Sequence, residues 1–85
     1  MKIYIVFEDW AIDGGGEECL PLKAFKTQQK AIAFMHQKWE QLMDEDYFSE
    51  FDVWEESKTH IEAWKDNDYL MYHEKLEVVE CEMAE

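Results

Sequence analysis

The amino-acid sequence predicts an α+β domain: a small antiparallel or mixed sheet in the chain order β-β-α-β-β, with one long helix packed on one face. Three observations predict it. Runs rich in β-branched and aromatic residues stand near both ends, one central stretch repeats its apolar residues at helical spacing, and clusters of Asp, Asn and Gly punctuate the rest. The 85 residues make a single domain, residues 1–85. A compact fold of that size has a radius of gyration of roughly 12 Å. It buries only ~60–65% of its unfolded surface, enough for one core and little enclosed volume.

Residues 2–8 (KIYIVFE) carry apolar side chains at both parities, Ile3, Ile5 and Phe7 against Tyr4 and Val6, the pattern of a strand covered on both sides. Residues 9–16 end in Gly14, Gly15 and Gly16 and read as a loop. Their spacing matches no dinucleotide or phosphate-binding loop, and the flanking acids would repel phosphate. Residues 19–25 read as a second strand; Pro21 donates no ladder hydrogen bond and so confines it to a sheet edge or a bulge.

Thr27 is a good cap for a helix starting at Gln28, because its hydroxyl accepts from an otherwise orphaned amide. Lys30 rules out a reciprocal capping box. Ile32, Met35, Trp39, Leu42 and Met43 then form a helical stripe that Ala31 and Phe34 widen. A stop at Met43 would set Asp44, Glu45 and Asp46 at the negative end of the helix dipole, so the helix is expected to continue to roughly Phe48.

Residues 51–56 form a short strand or an irregular crossing. In residues 59–64, Thr59, Ile61 and Ala63 share one face and His60, Glu62 and Trp64 the other. Lys65-Asp66-Asn67-Asp68 is a turn signal, since Asn and Asp tolerate left-handed geometry. Residues 69–73 return, and residues 76–82 make the last strand, whose apolar residues at both parities imply a bulge or burial on both sides. The first and last strands share the same apolar richness and are expected to be neighbours.

Eight Lys, no Arg and 21 acidic residues give a formal charge of −13. Residues 1–39 balance five acids against five lysines, while residues 40–85 set 16 acids against Lys58, Lys65 and Lys75 and hold the whole imbalance. So few cations do not neutralise a nucleic-acid backbone or dock on anionic lipid. No apolar run nears the ~20 residues of a membrane span. At 47% hydrophobic and 15% aromatic, the chain is too rich in core-forming residues for the disorder that such charge usually brings. The short, strand-like N-terminus does not read as a signal peptide. A cytoplasmic, reduced chain is expected, with Cys19 and Cys81 free; a disulfide would need their Cα atoms within ~7 Å.

The stretch Ala24-Phe25-Lys26-Thr27-Gln28-Gln29-Lys30-Ala31, after Ile3-Tyr4-Ile5-Val6 and before Thr59-His60-Ile61-Glu62-Ala63-Trp64, resembles small uncharacterised proteins of bacteria and their phages. In those proteins a strand pair feeds a helix through F-x-[ST]-x-x-K-A and the chain closes with a β-hairpin. The resemblance covers about two thirds of the chain and its motifs are structural. It implies the fold and a bacterial or phage origin, and transfers no activity.

Glu40, Asp44, Glu45, Asp46, Glu50, Asp52, Glu55 and Glu56 follow one another with no intervening base. On a helix, residues three and four apart lie ~5–6 Å apart, near the ~7 Å between successive phosphates of a DNA strand. Two readings stand: an array that mimics DNA and inhibits a nucleic-acid-binding host protein, or a solvated helix end and loop, as charge runs usually are.

A second candidate is metal binding. If Asp66-Asn67 is a two-residue turn, His60 faces His73 across the hairpin, and with Glu62 or Glu74 nearby the two imidazoles suit Zn²⁺ or another divalent ion. The plain alternative is two surface histidines against Trp64 and Tyr72. His36 reads as a boundary residue of the helix.

No nucleophile stands in a recognisable setting and no pair of acids stands out, so the chain does not read as an enzyme and implies no cofactor. Trp10, Trp54, Trp64, Tyr69 and Tyr72 exceed what so small a core hides, and Trp and Tyr dominate binding hot spots. The expected function is a non-enzymatic protein-protein interaction module. Its candidate partner-binding residues are Glu40, Asp44, Glu45, Asp46, Glu50, Trp54, Trp64 and Tyr69, and its partner is a protein of basic character. A homodimer across a sheet edge would also use the surplus aromatics.

Overall fold

A computed structural model describes residues 1–12, 18–69 and 72–84. In chain order the elements are β1 (Lys2–Ala11), β2 (Glu18–Phe25), α1 (Gln28–Met43), a 3-10 helix (Asp46–Glu50), β3 (Val53–Glu56), β4 (His60–Trp64) and β5 (His73–Glu82). The strands form one antiparallel sheet in the order β2-β1-β5-β4-β3. The α+β class, the strand pair before the helix and the single long helix are as predicted, and three strands follow the helix.

β1 and β5 lie side by side from Lys2 opposite Glu82 to Ala11 opposite His73, so the first and last strands are neighbours at the centre of the sheet. β1 runs on to Ala11 instead of ending at Glu8, which takes Asp9 and Trp10 out of the expected loop and into the sheet. The three glycines of that loop lie outside the described residues. β2 is an edge strand, as Pro21 requires, and the register slips between Val6 and Phe7, so the bulge sits in the first hairpin. Cys19 stands opposite Asp9 on β2 and Cys81 opposite Ile3 on β5. With β1 between their strands the two thiols are free.

Thr27 caps α1 as expected, its Oγ1 accepting from the Lys30 amide at 3.3 Å. The helix stops at Met43, not near Phe48. The break carries Phe48 and Phe51 under the helix end, with Phe48 edge-on to Trp39 at 5.2 Å and to Phe51 at 5.1 Å. Burying two such rings stabilises by ~1.5–3 kcal/mol each, more than the ~0.3–1 kcal/mol that an exposed acid costs at the negative end of a dipole. Asp46, adverse to α1, stands in the first turn of the 3-10 helix.

The sheet has two different faces. On one, Val6, Ile61, Ala63, Leu76 and Val78 pack with Ala31, Met35, Trp39 and Leu42 of α1 to make the core. The other has no helix over it among the described residues. There Ile3, Ile5, Phe7 and Val79 are half-buried, and a polar row crosses the strands from Glu55 through Glu62 and Lys75 to Asp9. The molecule measures 43 × 22 × 18 Å with a radius of gyration of 13.5 Å. It exceeds the value for a sphere-like domain because the two central ten-residue strands set its length.

Candidate functional site

Strand register decides which polar side chains meet. His60 stands opposite Glu77 and His73 opposite Trp64, so the expected cross-strand histidine pair does not form. Asn67 does take the left-handed conformation, φ 63°, that the turn signal anticipated. The connection, however, runs on to Tyr72, where the Lys65 amide donates to the Tyr72 carbonyl at 3.0 Å. A hairpin closed two residues after Asp66 would have set Ile61 opposite Tyr72; the longer loop matches it with Leu76. The histidines therefore lie four positions apart along the strands, roughly 13 Å.

Each histidine anchors its own half of a network on the open face. His73 has no exposed surface. Its Nε2 is 3.0 Å from Asp9 Oδ1 and its Nδ1 2.6 Å from the Tyr69 carbonyl. The Tyr69 carbonyl and the Asp9 carboxyl thus bracket the ring, one at each nitrogen, and give both of its polar atoms a partner. The Tyr69 ring stacks on the imidazole at 4.4 Å and 5°, roofing it from the loop, and meets Trp64 edge-on at 5.8 Å.

Tyr69 also links the two halves: its hydroxyl donates to Glu62 Oε2 at 2.8 Å. The other oxygen of Glu62 lies 3.9 Å from His60 Nε2, and Glu55 Oε1 lies 3.4 Å from the same nitrogen. Ser57 Oγ sits 2.6 Å from His60 Nδ1 and accepts from the Thr59 amide at 3.3 Å. Glu55, His60 and Glu62 thus bring three ligand atoms within 4.8 Å of one another.

On the helix face, directly behind His73, Glu74 is fully buried, and neither of its carboxyl oxygens has a hydrogen bond of good geometry. Burial is the main reason its pKa rises to about 10, with Glu8 next and the Lys38 ammonium opposing. Glu8 and Glu74 are diagonal neighbours across β1 and β5, which is why Glu8 adds to the cost of ionising Glu74. The Tyr47 phenol closes the cluster and is pushed up in turn, first by burial and then by Glu74.

A third feature lies where α1 meets β3. Met43, Glu45, Asp46, Phe48, Ser49 and Trp54 line an open groove of about 640 Å³. Met43 and Trp54 are 50% and 53% exposed.

The structure divides the residues singled out from the sequence. Glu45, Asp46 and Trp54 share the groove, with Glu40 and Asp44 exposed at the end of α1. Glu50 instead faces Lys65 at 3.7 Å. Trp64 and Tyr69 belong to the open-face network, and His36 is exposed on α1. Asp9 and Ser57 of the network, the meeting of Glu55 with His60, and the Glu8–Glu74 pair escaped the sequence reading. One signal was available for the pair: Glu74 shares its parity with Leu76 and Val78, and Glu8 with Tyr4 and Val6, so both acids sit at inward positions. No helix among the described residues is long and apolar enough to cross a membrane. No protein-family model, curated protein or solved structure matches the chain.

Proposed function

We propose that this protein is a non-enzymatic interaction module that receives a basic, apolar-tipped segment of another protein in the groove between the end of α1 and β3. The observation that carries the reading is the pairing of Trp54 and Met43, each about half exposed, with the carboxylates of Glu45 and Asp46. An indole and a thioether lining one groove offer the apolar anchor typical of binding hot spots. No lysine lines the groove, so the rim selects for cations and steers them in.

Phosphate mimicry is a sharper use of the same charge. All eight acids from Glu40 to Glu56 are exposed, which favours it. Mimicry asks for a regular ladder, however, and Glu55 and Glu56, as successive residues of β3, point to opposite faces of the sheet.

The test is calorimetric titration with a Lys/Arg-rich peptide bearing one Phe anchor, against the same peptide with Ser in its place. The anchored peptide is expected to bind, to weaken about tenfold or more on Trp54→Ala, and to weaken as salt rises. Binding indifferent to both the anchor and Trp54→Ala, yet lost on reversing Glu45 and Asp46 to Lys, would move the reading to phosphate mimicry. No binding of either peptide would remove it.

A further inference from the structure

The geometry points to a binding site for a divalent first-row transition metal, of the zinc type, formed by Glu55, His60 and Glu62 on the open face. It is independent of the groove, from which it is separated by the thickness of the sheet. Four observations carry it.

The first is distance. Zinc holds nitrogen and oxygen ligands at about 2.0–2.2 Å, which puts neighbouring ligand atoms of a tetrahedral site roughly 3.4 Å apart. His60 Nε2 is already 3.4 Å from Glu55 Oε1 and 3.9 Å from Glu62 Oε1. All three ligand atoms lie within 4.8 Å of one another, so small side-chain rotations close the site without moving the backbone.

The second is the state of the atoms that do not face the cluster. Metal-bound histidines and carboxylates generally have their remaining polar atom held by an outer partner. Here Ser57 Oγ holds His60 Nδ1 at 2.6 Å, and the Tyr69 hydroxyl holds Glu62 Oε2 at 2.8 Å. Both partners lie outside the ligand set. They leave Nε2 and Oε1, the atoms that converge, as those available to the ion.

The third is electrostatic. Glu55 and Glu62 are direct cross-strand partners, and like charges placed opposite each other destabilise a strand pair. The next residue along the row, Lys75, is opposite Glu62 and is shared with Asp9 on its other side. A cation between Glu55 and Glu62 removes the repulsion at its source.

The fourth is chemical type. An imidazole beside two carboxylates suits zinc and its neighbours, whereas calcium and magnesium take oxygen ligands. Three protein ligands on an open face leave a fourth position to water.

The experiment is titration of the full, chelator-treated chain with Zn²⁺, read by calorimetry and by the imidazole resonances in NMR. One ion per chain is expected, with the His60 signals moving and those of His73 still, and with Mg²⁺ and Ca²⁺ failing to compete. His60→Ala and Glu55→Gln should each weaken binding about tenfold or more, while His36→Ala and Glu56→Gln leave it unchanged. Glu55 is exposed on an edge strand, so its variant reports on binding even if His60→Ala perturbs folding. Absence of binding, binding that survives both ligand variants, or equal binding of Ca²⁺ would overturn the proposal.

Discussion

His73 and Glu74 are consecutive residues of β5, both without exposed surface, and they solve the same problem in opposite ways. His73 points to the face that α1 leaves uncovered, yet it is enclosed by a polar shell: a carboxylate on one nitrogen, a carbonyl on the other and a tyrosine ring across its plane. Glu74 points under α1, where its nearest polar neighbours are a second carboxyl, Glu8, and the Tyr47 phenol, and neither of its oxygens has a hydrogen bond of good geometry. It keeps its proton instead. Burial in a protein thus does not by itself decide how a titratable group is accommodated; the supply of partners does. The helix-covered face of this sheet is apolar enough to neutralise a carboxyl, and the open face polar enough to give a buried imidazole a partner at each nitrogen.

The strongest way to break this comparison is to remove the partner on the open face. His73→Phe preserves a ring to stack on Tyr69 but leaves the Asp9 carboxyl, 21% exposed, and the Tyr69 carbonyl without their imidazole partner. Leaving a buried hydrogen-bond partner unsatisfied costs about 1–3 kcal/mol, and the partial exposure of Asp9 sets the expectation at about 2 kcal/mol in urea unfolding. Adding Asp9→Asn to that variant should recover part of the loss. A cost below about 1 kcal/mol would mean that the pair is solvated like a surface one.

The second test addresses the other side. Glu74 keeps its proton in the folded chain up to about pH 10, whereas the unfolded chain releases it near the ordinary value of 4.5. Between those limits the folded state binds the extra proton, so stability is greatest at the acid end of the window and falls as pH rises. The slope reaches about 1.4 kcal/mol per pH unit for one proton. Glu74→Gln keeps the shape and removes the titration, so unfolding compared at about pH 6 and about pH 9 should show a flatter dependence in the variant. An unchanged slope would assign the pH dependence to the general repulsion of a chain carrying −13 charges.

These two residues also mark how far the sequence can be read. The strands, the Thr27 cap, the edge position of Pro21 and the turn at Asn67 were legible because each rests on local chemistry. The helix end was not. It depends on Phe48 and Phe51 finding Trp39, a tertiary contact that outweighs the dipole argument. The register of the last hairpin was illegible for a related reason. A pairing shifted by four residues keeps every side chain on its face, so alternation is blind to it, and the choice between the two falls to whether Tyr72 or Leu76 packs beside Ile61. That choice moved His73 away from His60 and onto Asp9, whereas Glu55 reaches His60 through the separate pairing of β3 with β4.

The smallest expected effect separates the two halves of the open-face network. Tyr69 serves His73 through its ring and its backbone carbonyl, and serves Glu62 through its hydroxyl. Tyr69→Phe removes only the last of these. If the His73 shell depends on the ring and the carbonyl, the variant should lose about 1 kcal/mol, the worth of one partly exposed hydrogen bond. The environment of His73, followed by its imidazole resonances, should stay the same. Glu62 would meanwhile lose the partner that orients it, so the same substitution should weaken zinc at Glu55, His60 and Glu62 while the Asp9–His73 pair persists. A loss nearer the cost of His73→Phe would show instead that the phenol holds the loop over His73, and that the two halves stand or fall together.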